Sequence, residues 1–284
     1  MFAFCSDPRA LDGAAWLACY LTTPKHASYY LSFLTVLGLL AAAIAPIMAF
    51  GFAGAFAKRS AIPPVRWLGS LYTTMVRGVP DIVFFLFVPI AMDQAIEYIR
   101  HKVICPDWSA PIWQGNDFVV CDAAKAPLST APAWVHDTYG FTLAVVAYAI
   151  VFGAFAANIL DGAMRAVPKG QTEAGKALGL PRLQILWRIE LPQMWIYALP
   201  GLSNLWMLLI KATPLLFLLG VEDVIYWAKE LGGMKTSAYA YSHPDWRVWY
   251  FASLIVFYLL LTWVSQRSFE RLTARATRGL ALSP

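Results

Sequence analysis

The chain has 284 residues, of which 59% are apolar and only 14% charged, with a positive mean hydropathy and a formal charge of +5. Globular proteins average roughly 45–50% apolar and about 25% charged residues, so this composition cannot cover a soluble surface. Its long uncharged runs also exclude disorder, a small disulfide scaffold and an ordinary soluble enzyme, and they describe an all-α integral membrane protein.

Three runs are long enough, at about 20 residues, to cross a hydrocarbon core: 29–57, 139–160 and 248–264. A fourth, 194–221, is apolar except for Lys211, and a fifth, from Trp67 to Ala95, is interrupted by Arg77, Gly78, Pro80 and Asp81. About five transmembrane helices are therefore expected. Pro80 disfavours helical backbone at Val79, so 67–99 is either one kinked helix or two pieces.

Lys58, Arg59, Arg66, Arg165, Lys169, Lys176, Arg182, Arg188, Arg267, Arg271, Arg275 and Arg278 all fall on one side of these spans, against eight basic residues on the other. The positive-inside rule makes the richer side cytoplasmic, C-terminus included, and with five spans the N-terminus lies outside.

Residues 1–28 hold Asp7 and Asp12 without a basic start or a small-residue cleavage pattern, and read as an exterior segment rather than a removed leader. Cys5, Cys19, Cys105 and Cys121 all fall outside, where oxidation permits disulfides. Cys105 and Cys121 are a candidate pair that would close a small loop, but four cysteines allow three pairings and free thiols are the alternative. His26, His101, His136 and His243 share no ligand spacing, so no metal site is expected. The polar insertion 100–138, rich in Pro and Trp, reads as an exterior cap or extended loop too short to be a domain.

The segment 167–193 is more punctuated than a connector. Pro168 and Gly170 end the preceding span; Thr172 is placed to cap a short helix, with Glu173 at its positive end, Lys176 toward its negative end and Gly179 closing it. Pro181 starts a second short helix with Leu183, Leu186 and Ile189 on one face, which Pro192 is expected to stop. Two short helices on the inner face form a docking surface.

Glu173, Ala174, Gly175, then Gly179, then Ile189, Leu191 and Pro192 resemble the cytoplasmic signature of importer-type ABC permeases, Glu-Ala-Ala, three residues, Gly, nine residues, Ile-x-Leu-Pro. Every spacing matches; the one departure is Gly175 in place of the usual Ala, which should loosen the helix by roughly 1 kcal/mol. Arg77-Gly78-Val79-Pro80-Asp81, Val167-Pro168-Lys169-Gly170-Gln171 and Ala198-Leu199-Pro200-Gly201 through Asn204 to Lys211 resemble the polar amino-acid uptake branch. Gly220 to Val224 is similar to permeases for histidine, lysine, arginine, ornithine and opines. The resemblance spans about 29–95 and 139–270 and leaves the insertion uncovered.

The resemblance implies a type I importer permease fold over 29–270, with a periplasmic segment 1–28 and a cytoplasmic tail 271–284. In it the helix at Glu173 to Leu178 is a coupling helix seated in a separate cytoplasmic ATPase dimer. Closure of that dimer on ATP and Mg, which this chain does not bind, would turn a central site outward toward a periplasmic substrate-binding protein in the bacterial inner membrane. Glu173, Ala174, Gly175, Lys176, Gly179, Leu191 and Pro192 are the implied coupling residues, and no catalytic residue is expected. Gly170, Gly175 and Lys176 nearly spell a phosphate-binding loop, but Ala177 replaces its hydroxyl residue and no strand precedes it, so the likeness is coincidental.

An ionisable residue at mid-bilayer costs roughly 2.5–3.5 kcal/mol and asks for a reason. Along continuous helices Asp81 would lie about 21 Å and Lys211 about 25 Å from the cytoplasmic ends of their spans. At those depths they either pair with each other or line a cavity, Asp81 facing an ammonium or cationic side chain and Lys211 or Arg77 a carboxylate. Asn204 shares the same candidate pathway. Asn158 and Asp161 stand near the inner gate where the family often has Glu and Arg, and Asp161 reads as a solvated or gate-region charge. That departure favours pairing with a different sister permease over a homodimer. Most aromatic residues read as interface belts, among them Trp67, Trp227, Trp246 and Trp249. The alternatives are a stand-alone proton-coupled secondary transporter, against which the missing inverted repeat argues, and an intramembrane enzyme, for which no Cys or His lies beside a membrane carboxylate.

Overall fold

The computed structural model describes residues 5, 7, 11–215 and 221–278, apart from the side chains of Arg77 and Asp81. The described chain is helical throughout except for one two-stranded hairpin and an isolated bridge between Lys235 and His243. The helices are α1 (Gly13–Leu21), α2 (Pro24–Lys58), α3 (Pro63–Gly78), α4 (Asp81–Ile104), α5 (Ala133–Ala166), α6 (Lys169–Ala177), α7 (Arg182–Ile185), α8 (Leu191–Ala212), α9 (Val224–Gly232) and α10 (Arg247–Ala276).

Four described helices, rather than the expected five, are long and apolar enough to cross a membrane: α2, α4 from Ile82, α5 and α10. The expected span 194–221 begins as α8, whose Gln193, Pro200, Ser203, Asn204 and Lys211 dilute its apolar character and which ends at Ala212; residues 216–220 lie outside the described ones. The expected 67–95 span is two helices. Val79 is extended (φ −117°, ψ 139°), as a residue before proline should be, so α3 ends at Gly78 and α4 restarts at Asp81. Depth along a continuous helix therefore does not apply to Asp81.

The chain divides into two compact units, one of Met1–Ala41, Leu199–Phe217 and Glu222–Pro284, the other of Ala42–Ala198 and Leu218–Val221. In the second unit, α2 and α5 approach through small residues. A Cβ on Gly51 would lie 2.8 Å from that of Ala156, and one on Gly54 2.8 Å from that of Ala157, the close backbone approach that small residues permit inside membranes. Paired positions rise together along both helices, so α2 and α5 run parallel and end on the same side. α4 lies antiparallel to α5, with Phe85 between Tyr148 and Phe152 at one level and Tyr139 donating to Asp93 at 2.7 Å at the other.

Between α4 and α5 the insertion folds on itself. Cys105 is bonded to Cys121. A hairpin pairs Trp113 with Phe118 and turns at Gly115, whose φ of +66° suits a tight two-residue turn. Val120, Cys121 and Ala124 form a small core against Ile112 and Phe118. Arg100 donates to the Ala123 and Ala124 carbonyls, fastening the insertion to α4.

In the first unit, Cys5 is bonded to Cys19 at the end of α1. Tyr20 donates to the Leu231 carbonyl and meets His243 Nε2 at 2.8 Å, while His26 meets Tyr250 at 2.6 Å and Lys25 pairs with Glu230 at 2.8 Å. Trp246 stacks on His243 and packs against Tyr20, so it belongs to this cluster rather than to a lipid-facing belt. The buried histidines His26, His101 and His243 thus serve as hydrogen-bonding partners; His101, beside Cys105 and Cys121, accepts from the Cys121 amide at 3.1 Å.

Candidate functional site

The segment after α5 folds as a helical hairpin whose chemistry follows from its punctuation. Pro168 is the N-cap of α6, and Lys169 to Ala177 are helical. Thr172 is therefore inside the helix, donating to the Lys169 carbonyl at 2.7 Å, and is not the expected cap. Gly179 adopts φ +73°, with its amide on the Lys176 carbonyl and that of Leu180 on the Gly175 carbonyl, the paired bonds of a Schellman ending that favours glycine at this position. The residues resembling a phosphate loop lie within this helix.

Gly175 is buried, and its lack of a side chain has a packing reason the sequence did not reveal. A Cβ there would lie 2.8 Å from Ile189 Cδ1 and 3.3 Å from Ile185 Cγ1. The return leg is not a free helix stopped by Pro192. From Pro181 it runs through α7 and a π-helical turn, Leu186–Glu190, straight into α8, so Pro192 does not stop it; the wider π turn lies immediately before the proline, where the regular hydrogen-bond ladder is interrupted. Ile185 and Leu191 are buried, whereas Leu183, expected on the packed face, is 66% exposed.

Opposite the Gly175 seam, Glu173, Ala174 and Lys176 are exposed, and Leu178 is 80% exposed. Leu178 thus stands exposed beside charged side chains at the turn. Leu178 and Trp187 were missed in the sequence because periodicity marks apolar residues as inward.

Asn158 and Asp161 are brought together by a residue that sequence reading left among the loop charges. Lys58, the last residue of α2, donates to Asn158 Oδ1 at 2.8 Å and pairs with Asp161 Oδ2 at 3.2 Å. Arg165 grips the same carboxylate through Nε and Nη2 at 3.2 and 3.0 Å. Asp161 is buried and doubly paired, not solvated. Asn204 and Lys211 are exposed and seven residues apart on α8, which places them on one face. Arg77 is at the end of α3 and Asp81 opens α4; their side chains lie outside the described ones, as does Gly220.

The described chain is thus a multi-pass helical membrane protein with a helical hairpin between its long helices α5 and α8. Residues 47–278 match the family described as binding-protein-dependent transport system inner membrane component. The chain is similar to the arginine ABC transporter permease protein ArtQ of Escherichia coli K12, 32% identical over 215 residues that cover 76% of this chain and 80% of that protein. It is also similar to the histidine/lysine/arginine/ornithine transport system permease protein HisQ of Salmonella typhimurium, 32% identical over 231 residues that cover 81% and 85%. Its fold is shared with a solved amino acid ABC transporter with histidines, at a TM-score of 0.58 and 20% identity over 88% of this chain and 96% of that one. The chain belongs to the family of binding-protein-dependent inner membrane components and is the permease half of an ABC-type importer. Membership carries no ATPase activity of its own, and it gives no support to a stand-alone proton-coupled transporter.

Proposed function

We propose that this chain forms half of the pathway through which an ATP-driven bacterial importer moves polar, basic amino acids by alternating access. The observation that carries the reading is the hairpin, with Glu173, Ala174, Lys176 and Leu178 exposed around a Schellman turn on one side and Gly175 sealed against Ile185 and Ile189 on the other. A rigid helix presented this way transmits displacement rather than absorbing it. Its partner is a cytoplasmic ATPase dimer that binds ATP and Mg, and Gly179, Leu191 and Pro192 hold the two legs in register.

Substrate class is supported by the arginine and histidine/lysine/arginine/ornithine permeases named above. Arg77, Asp81, Asn204 and Lys211 are assigned to the pathway, with Asn158 and Asp161 at its inner gate. The N-terminus and the insertion face the periplasm and a substrate-binding protein, 29–270 is the transmembrane domain, and 271–284 is a cytoplasmic tail. The parallel course of α2 and α5, both ending in basic residues, supports this orientation. A different sister permease completes the pathway.

Reconstituted with its co-purifying ATPase and binding protein, the chain is expected to take up arginine or lysine in an ATP-dependent manner and glutamine more slowly. Uptake of glutamine at the same rate overturns the basic-substrate assignment; uptake driven by a proton gradient in ATP-free vesicles overturns the importer reading.

A further inference from the structure

The last residue of α2 and the first beyond it reach the two helical stretches that flank the coupling hairpin. Lys58 grips α5 two turns before the hairpin leaves it, at Asn158 and Asp161. Arg59, the next residue, lies 3.8 Å from Glu190, the last residue before α8. The hairpin's own neck is closed between these points, Gln193 donating to Gln171 at 3.2 Å.

We infer that Lys58 and Arg59 are positioning residues for coupling: they bind the end of α2 to α5, from which the hairpin departs, and to the end of the hairpin's return leg, so that displacement of α6 moves the inner ends of α2, α5 and α8 together. The inference rests on the importer reading above. Burial gives the contact its force. The Lys58 side chain is 17% exposed and that of Asp161 7%, so the pair is screened far less than a surface pair, and removal of Lys58 takes away one of the buried carboxylate's two cationic partners. Arg165 is 67% exposed and on the same helix as Asp161, so it neutralises the carboxylate without linking elements. Lys58 alone makes the carboxylate a link between helices. Immediately before it, Gly51 and Gly54 press α2 onto Ala156 and Ala157, so the ion pair locks the open end of a seam that is already closed along its length. Arg59 adds the second leg at longer range.

The test is the number of ATP molecules hydrolysed per substrate moved by the reconstituted permease and ATPase complex, with arginine as substrate. Lys58→Met is expected to raise that ratio about fivefold or more while hydrolysis continues, and Lys58→Arg to restore it. The double variant Lys58→Met with Asp161→Asn leaves no buried partner unpaired. It is expected to be no more uncoupled than Lys58→Met alone, because both changes remove one contact; if the single variant does not insert, the double variant carries the measurement by itself. An unchanged ratio overturns the inference, as does loss of hydrolysis and transport together at unchanged thermal stability, which would make the contact one of assembly. Wild-type uptake without any attached ATPase overturns the importer reading instead.

Discussion

Two loops of similar length leave the ends of α5, and they are stabilised in opposite ways. The insertion before α5 closes on itself through a disulfide, a hairpin and a small core of Val120, Cys121 and Ala124. The hairpin after α5 has no covalent staple; it is held by one helix seam at Gly175, by the Gln193–Gln171 bond and by one ion pair to Arg59 just beyond α2, and it leaves Leu178, Leu183 and Trp187 in the open. The insertion carries its own core and is fastened to α4 by Arg100 and His101. The hairpin instead depends on the helices on either side of it for its position.

The largest effect expected from this contrast is at Glu173. Reversing a charge in a docking surface costs several kcal/mol, and about 1.4 kcal/mol is already tenfold. Glu173→Lys should therefore abolish ATP-driven transport while expression and membrane insertion stay intact, as read from uptake and from membrane content together. Full transport by this variant would remove the hairpin from the mechanism. Next in size is Gly179→Val, which forces a β-branched residue into the left-handed region at a cost of about 1–3 kcal/mol. Transport should fall partway, and Gly179→Asn should recover most of it.

In the insertion the ordering of stability and function reverses. Replacing Cys105 and Cys121 by serine opens a loop with a sequence separation of 16, for which chain entropy predicts a loss of about 3 kcal/mol. Thermal unfolding should come earlier with uptake at the usual rate; a transport defect at full stability would show that the insertion, too, is part of the coupling.

The smallest effect lies outside both loops. Asp223 caps α9, accepting from the Ile225 and Tyr226 amides at 3.0 Å, but its Oδ2 is buried without a partner among the described residues. Burial raises its carboxyl to about 6, against which the two amide bonds act only in part. An acid whose folded pKa lies above its unfolded one binds more protons when folded, so stability should decline as pH rises from about 4 to 6. Asp223→Asn, which can still cap, should flatten that slope in a melting series.

Much of this was legible in the residues. Uncharged runs located α2, α5 and α10, and the punctuation from Pro168 to Pro181 located the helical hairpin, because both depend on local composition. What could not be read is what depends on a partner far along the chain. Lys58 looked like one more cytoplasmic charge until α5 was laid parallel to α2, and Gly175 looked like a weak helix position until Ile189 stood against it. Pro192 was read as a stop because proline usually is one, but a π-helical turn just before it carries the helix through. The break at Pro80 was foreseen as one of two outcomes, and the extended Val79 selects two helices.

The central claim is that the hairpin is the point at which a separate motor drives this chain. The most direct test is to purify the tagged chain from its native membrane in mild detergent and identify every chain that accompanies it, for the wild type and for Glu173→Lys. The account predicts an ABC ATPase with the wild type and its loss or severe depletion with the variant. A wild-type chain that purifies alone, and still moves substrate in ATP-free vesicles under a proton gradient, would contradict it.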